Sequence, residues 1–117
     1  MPTPIDGFYA AYLTATAGQG FALIECTHGR IVGADATGTV FDGEYTAAED
    51  NAFRVTLQVK SPPNVRFIQG GNSGPAGDIT HQEFILPSDF YKRDFVRLDF
   101  GRGPINAKFV RIRETVA

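Results

Sequence analysis

Cys26 and His28 stand two residues apart in a chain with a single cysteine and one further histidine, His81. Such a pair suits a metal site or a thiolate beside its base. Zinc, however, takes a full tetrahedral ligand set at settled spacing, and a nucleophilic cysteine needs a third group to orient the base. There is no second cysteine, and no orienting group is identifiable. Cys26 therefore reads as a small buried hydrophobe, and no metal ligand, cofactor or catalytic residue is assigned.

Asp42 and Glu44 are also two apart, so they share one face of a strand. Paired carboxylates do acid–base work in a cleft that drives their pKa values apart. Flanked by Phe41 and Tyr45, which point the other way, these two belong on a solvated outer face. Acid–base catalysis is not expected of this pair.

The glycines of "HGRIVGADATGTVFDGEY" invite a phosphate-loop reading, which requires a following helix whose N-terminus holds the anion. No helical pattern follows, and no Lys-Ser or Lys-Thr pair closes the motif. Gly29 and Gly38 read as turn residues, and Gly43 as a bend or bulge within a strand. The C-terminal "AKFVRIR" sets Phe109 between Lys108 and Arg111, a combination that suits nucleic acid. An isoelectric point near 5.6 argues against it, because phosphate neutralisation drives such binding. That run also changes phase, since Val110 and Ile112 share parity with Lys108. A bulge or a barrel-closing strand end accounts for the change.

These residues must be positioned by something, and the chain's totals bound what. The 117 residues include ten Phe and four Tyr but no Trp, and 43% are hydrophobic. That is enough for one domain, 1–117, to bury its own core. No apolar run approaches the length of a membrane span, so no membrane is expected as a partner. "MPTPIDG" lacks the regions of a secretory signal, and one cysteine makes no internal disulfide, so the expected compartment is the cytoplasm.

Apolar residues recur with a period of two. In "FRVTLQVK", Phe53, Val55, Leu57 and Val59 alternate with Arg54, Thr56, Gln58 and Lys60. "FVRLDF" does the same with Val96, Leu98 and Phe100. Further strands are expected over Gly7–Thr14, Gln19–Thr27, Arg30–Asp35, Thr39–Thr46, Thr80–Pro87 and Ile105–Arg113, divided by turn signals. About eight antiparallel strands in sequence predict an all-β, up-and-down barrel, with a two-sheet sandwich as the competitor. "LPSDFYKRDF" has room for one short helical turn after Ser88 or Asp89, and the Pro/Gly-rich segment after Ser61 reads as a long loop with "NVRF" extending the strand before it.

In "GFYAAYLT" both parities are apolar, which suits a strand covered on both sides. A second copy of the chain is the expected outer cover, and Tyr9, Ala11 and Leu13 are the candidate contacts of a homodimer. Acids (Asp6, Glu25, Asp35, Asp42, Glu44, Glu49, Asp50) dominate the first half of the chain. Bases (Lys92, Arg93, Arg97, Arg102, Lys108, Arg111, Arg113) dominate its end. One acidic side, able to receive a basic partner, is the reading this suggests.

Residues 5 to 60 resemble the N-terminal signature of the GrlR-type negative regulators of type III secretion genes. The likeness rests on Asp6, Gly7 and Tyr9, on Gly29, on Gly33 and Asp35, and on Phe41 with Gly43, with a looser match in "GPINAKFVRIR". It implies a bacterial, cytoplasmic, lipocalin-like barrel that dimerises and regulates transcription without enzymatic activity. It also implies a basic transcription activator as the protein partner, bound by a run of acids after the aromatic-x-Gly strand. In "AAED" Glu49 and Asp50 carry that run over, and Ala47 and Ala48 replace the rest. Asp42 and Glu44 would supplement its charge. The alternative is a carrier of a small apolar ligand, in a lumen otherwise filled by residues such as Phe53, Leu57, Phe84 and Leu98.

Overall fold

Eight antiparallel strands, taken in chain order, form one coiled sheet. They are β1 (Gly7–Ala15), β2 (Gly18–Thr27), β3 (Arg30–Asp35), β4 (Val40–Ala48), β5 (Ala52–Ser61), β6 (Asp78–Pro87), β7 (Val96–Asp99) and β8 (Pro104–Arg113). The computed structural model describes residues 5–99 and 103–114. Neighbours in the sheet run β6-β5-β4-β3-β2-β1-β8-β7, so β1 pairs with β8 and wraps the sheet into a nearly closed barrel. The seam between β6 and β7 carries no strand pairing among the described residues. Among the described residues a single 3-10 turn, Phe90–Lys92, follows Asp89 where a short helical turn was expected.

Alternation builds the wall. Phe53, Val55 and Leu57 of β5 point inward and are buried, while Arg54 and Thr56 are exposed. Full burial of a Val or Leu side chain is worth about 1.5–3 kcal/mol, so a one-residue slip of β5 would forfeit several such contributions at once. Val96 and Leu98 are buried as expected. Phe100, expected beside them, lies outside the described residues. "NVRF" is not an extension of β5: Arg66 makes an isolated bridge with Asn72 inside the 62–77 loop.

The two ends of the barrel differ. One end holds the 16–17, 36–39 and 62–77 connections and forms a mouth. At the other, the 28–29 and 49–51 turns gather with the 3-10 turn, Ile5 and the end of β8. His28 and Gly29 both have positive φ, 47° and 82°, the twist that two-residue hairpins need. Gly43 has another purpose. A Cβ there would collide with the Thr56 carbonyl oxygen on β5, and the β4 register runs through it unshifted. It marks close strand approach rather than a bulge.

Candidate functional site

The closed end carries a set of polar contacts that ties the start of the chain to its last strand. Tyr9 Oη donates to the Ile5 carbonyl at 2.6 Å. The Asp6 carboxylate accepts from Tyr45 Oη at 3.0 Å and from the His28 backbone N–H at 3.3 Å, while its carbonyl accepts from Arg111 at 2.7 Å. The Arg111 guanidinium also lies 6.0 Å from the Tyr9 ring centre and 5.4 Å from that of Tyr91, near enough for cation–π attraction. Phe90 packs against Tyr9, Tyr91 and Phe109. Burial pushes the Tyr9 hydroxyl far above its ordinary pKa, with Arg111 opposing the shift. Burial also moves Tyr45 up to about 12, helped by its bond to Asp6. These are neutral, hydrogen-bonding phenols. These contacts plug the closed end, and Gly7 belongs to the same plug, since a Cβ there would come within 2.7 Å of the Arg113 carbonyl oxygen.

Arg111 explains the apparent phase change in β8. The strand keeps its alternation: Ile105, Ala107 and Phe109 face inward, Arg111 continues that parity into the plug, and Val110 and Ile112 stand exposed outside. A register shift does occur in this pairing, opposite the start of β1 between Phe8 and Tyr9. The sequence offered Arg111 as surface charge. Its role was hidden because the partner carbonyl and rings come from the other end of the chain and from the 3-10 turn.

The residues first suspected of chemistry do not converge. Cys26 faces the lumen and is buried, and burial pushes its thiol up to about 12, with Asp6 and Glu25 adding to the shift. His28 sits exposed in the hairpin turn that follows. Asp42 and Glu44 are exposed on the outside of β4. They border a shallow outer depression with Arg30, His81 and Glu83. Among the described residues, no group of three His, Cys, Asp or Glu side chains could hold a metal ion.

Glu49 and Asp50 occupy the β4–β5 turn and are exposed. Asp50 and Asn51 have φ of 59° and 53°, a region Asp and Asn tolerate better than most residues. Asp50 therefore shapes the turn as well as charging it. Asp42 and Glu44 lie farther along the outer face of β4. The acids do not form an unbroken stripe, however, because Arg30 stands opposite Glu44 and Arg54 opposite Thr46. Arg54 in turn pairs with Glu83 at 2.7 Å.

The expected dimer contacts are on the wrong parity. Tyr9 and Ala11 are 1% and 2% exposed and line the lumen together with Leu13. Tyr9 is held inward by its bond to Ile5, and Ala11 leaves room for the large side chains across the barrel. The outward parity of β1 carries Phe8, Ala10 and Tyr12 instead. Tyr12, 51% exposed, lies opposite Phe21, with ring centres 5.2 Å apart. Ala10 sits between Leu23 and Val110 in the two ladders. Ile112, also exposed, extends this apolar surface along β8, whereas Val32 on β3 is flanked by Glu25 and Asp42 in its two ladders. Singly exposed hydrophobes are ordinary, but a contiguous set across neighbouring strands marks an interaction surface.

No family model, curated protein or solved structure matches the chain. No helix among the described residues is long and apolar enough to cross a membrane.

Proposed function

We propose that this chain is a non-enzymatic, cytoplasmic regulatory protein that works by contact with other proteins, in the manner of the negative regulators of type III secretion genes it resembles. The observation that carries the reading is the outer wall of β1, β2 and β8. There Phe8, Tyr12, Phe21, Leu23, Val110 and Ile112 all stand exposed on adjoining strands. A second copy covers this wall in the proposed homodimer, because an isologous interface lets each apolar patch bury the other.

The turn at Glu49 and Asp50, with Asp42 and Glu44 behind it, is the proposed contact for a basic transcription activator. Complementary charge speeds and orders such encounters. Protein is favoured over nucleic acid because Arg111, central to the basic C-terminal run, is spent on the closed end.

Affinity capture from the source organism tests the partner. The expected result is retention of a basic transcription activator, reduced by about tenfold when Glu49→Lys is combined with Asp50→Asn. Asparagine is chosen because the φ of 59° at position 50 penalises lysine. Retention that survives these substitutions would remove the acidic turn from the interface.

A further inference from the structure

The barrel is not packed solid. Ala11 lies directly opposite Ala22 in the β1–β2 ladder, and with Cys26 they give one inner wall small side chains. Leu57, Phe84 and Leu98 face them and leave a void of about 80 Å³ whose lining is apolar apart from the Cys26 thiol. Water would find too few polar partners there, while an apolar guest would recover the dispersion contacts the lining lacks.

Towards the mouth, Leu13, Phe41 and Ile105 line both this void and a wider chamber of about 340 Å³. The chamber has a polar rim. Thr39 and Ser61 are buried with their hydroxyl oxygens 3.1 Å apart, and Thr37 extends the hydroxyl chain at 3.0 Å from Thr39. Thr80 and Gln82, on β6 next to the strand that carries Ser61, also line the chamber. The 62–77 loop borders the chamber, tied down where the Ala17 N–H donates to the Ile68 carbonyl at 2.8 Å and where Gln69 Nε2 donates to the Gly103 carbonyl at 3.0 Å.

We propose that the barrel binds a small neutral amphiphile. Its apolar tail occupies the void beside Ala11 and Ala22, and its uncharged, hydrogen-bonding head meets Thr39, Ser61 and Gln82. Hydroxyls both donate and accept, so they suit an alcohol or amide head. A carboxylate or phosphate head is disfavoured, because the charged groups that line the chamber among the described residues are Asp35, Asp78 and Arg66. This site is separate from the proposed protein contacts. The mouth is at the opposite end from the acidic turn, and the lumen is on the opposite face of β1 and β2 from the apolar wall.

The test titrates the full chain with the neutral fluorophore N-phenyl-1-naphthylamine and competes it with 1-decanol and decanoate. Saturable enhancement is expected, with decanol displacing the probe at about tenfold lower concentration than decanoate. Ala11→Leu puts an isobutyl group into the void and should weaken probe binding at least about tenfold. Ala22→Val is the milder filling variant should Ala11→Leu fail its circular dichroism melt. Thr56→Asp, exposed on the outer face of β5, should leave binding unchanged. Absence of saturable enhancement would overturn the proposal, as would enhancement that persists in a folded filling variant or disappears in Thr56→Asp. Decanoate competing as well as decanol would overturn the assignment of a neutral head.

Discussion

The outer walls of β5 and β1 are made by the same pleat and end up chemically unlike. β5 presents Arg54, Thr56, Gln58 and Lys60, whereas β1 presents Phe8, Ala10 and Tyr12. The first wall needs nothing beyond water. The second leaves large apolar side chains exposed, Tyr12 at 51% and Leu23 at 52%, a state that association with another surface relieves. Alternation establishes which residues share a face. It establishes which face is inside only where one parity is polar.

The comparison breaks most visibly where a lumen residue adjoins an outer one. Val55→Asp would bury an unpaired carboxylate at a fully buried site and should cost more than about 4 kcal/mol. Thr56→Asp, one residue on and exposed, should stay within about 0.5 kcal/mol. Urea unfolding of both variants checks the pair, and similar costs would mean that β5 has been read in the wrong register.

A smaller effect distinguishes the lumen of the apolar side by pH. The Cys26 thiol is raised from 9.0 to about 12 and the Tyr45 phenol from 10.0 to about 12. Both groups hold their protons more tightly folded than unfolded. Their contribution to stability is complete below about pH 9 and is lost as pH rises through about 12. Stability should therefore fall across that window, and less steeply in Cys26→Val. The same burial should keep Cys26 unreactive towards a thiol reagent at pH 8 until the chain unfolds.

The least effect belongs to the polar wall. Arg54 and Glu83 form a 2.7 Å ion pair with both side chains more than half exposed. A double-mutant cycle over Arg54→Ala and Glu83→Ala should give a coupling below about 1 kcal/mol that shrinks with added salt. A larger value would make this wall more than a solvated surface.

Much of the barrel was legible because its strands alternate and its turns are marked. Arg30–Asp35 falls exactly on β3, and the other expected strands overlap their counterparts within a residue or two. The 3-10 turn lies where "PSDFYK" pointed. The facing of β1 was not legible, since both parities are apolar and the contacts with the 3-10 turn and with β2 come from other elements. Tyr9 is oriented by Ile5 and the 3-10 turn, and Ala11 by its opposition to Ala22. Arg111 was hidden for the same reason. At the acidic turn the exposure of Glu49 and Asp50 was legible, while the positive φ that gives Asp50 a conformational role was not.

Sedimentation velocity at micromolar concentration, comparing the native chain with Leu23→Asp and Thr56→Asp, tests most directly whether the apolar wall is a contact surface. The account predicts a dimer for the native chain and for Thr56→Asp, and a folded monomer for Leu23→Asp. A native chain that sediments as a monomer, or a dimer that Leu23→Asp leaves intact, would contradict it.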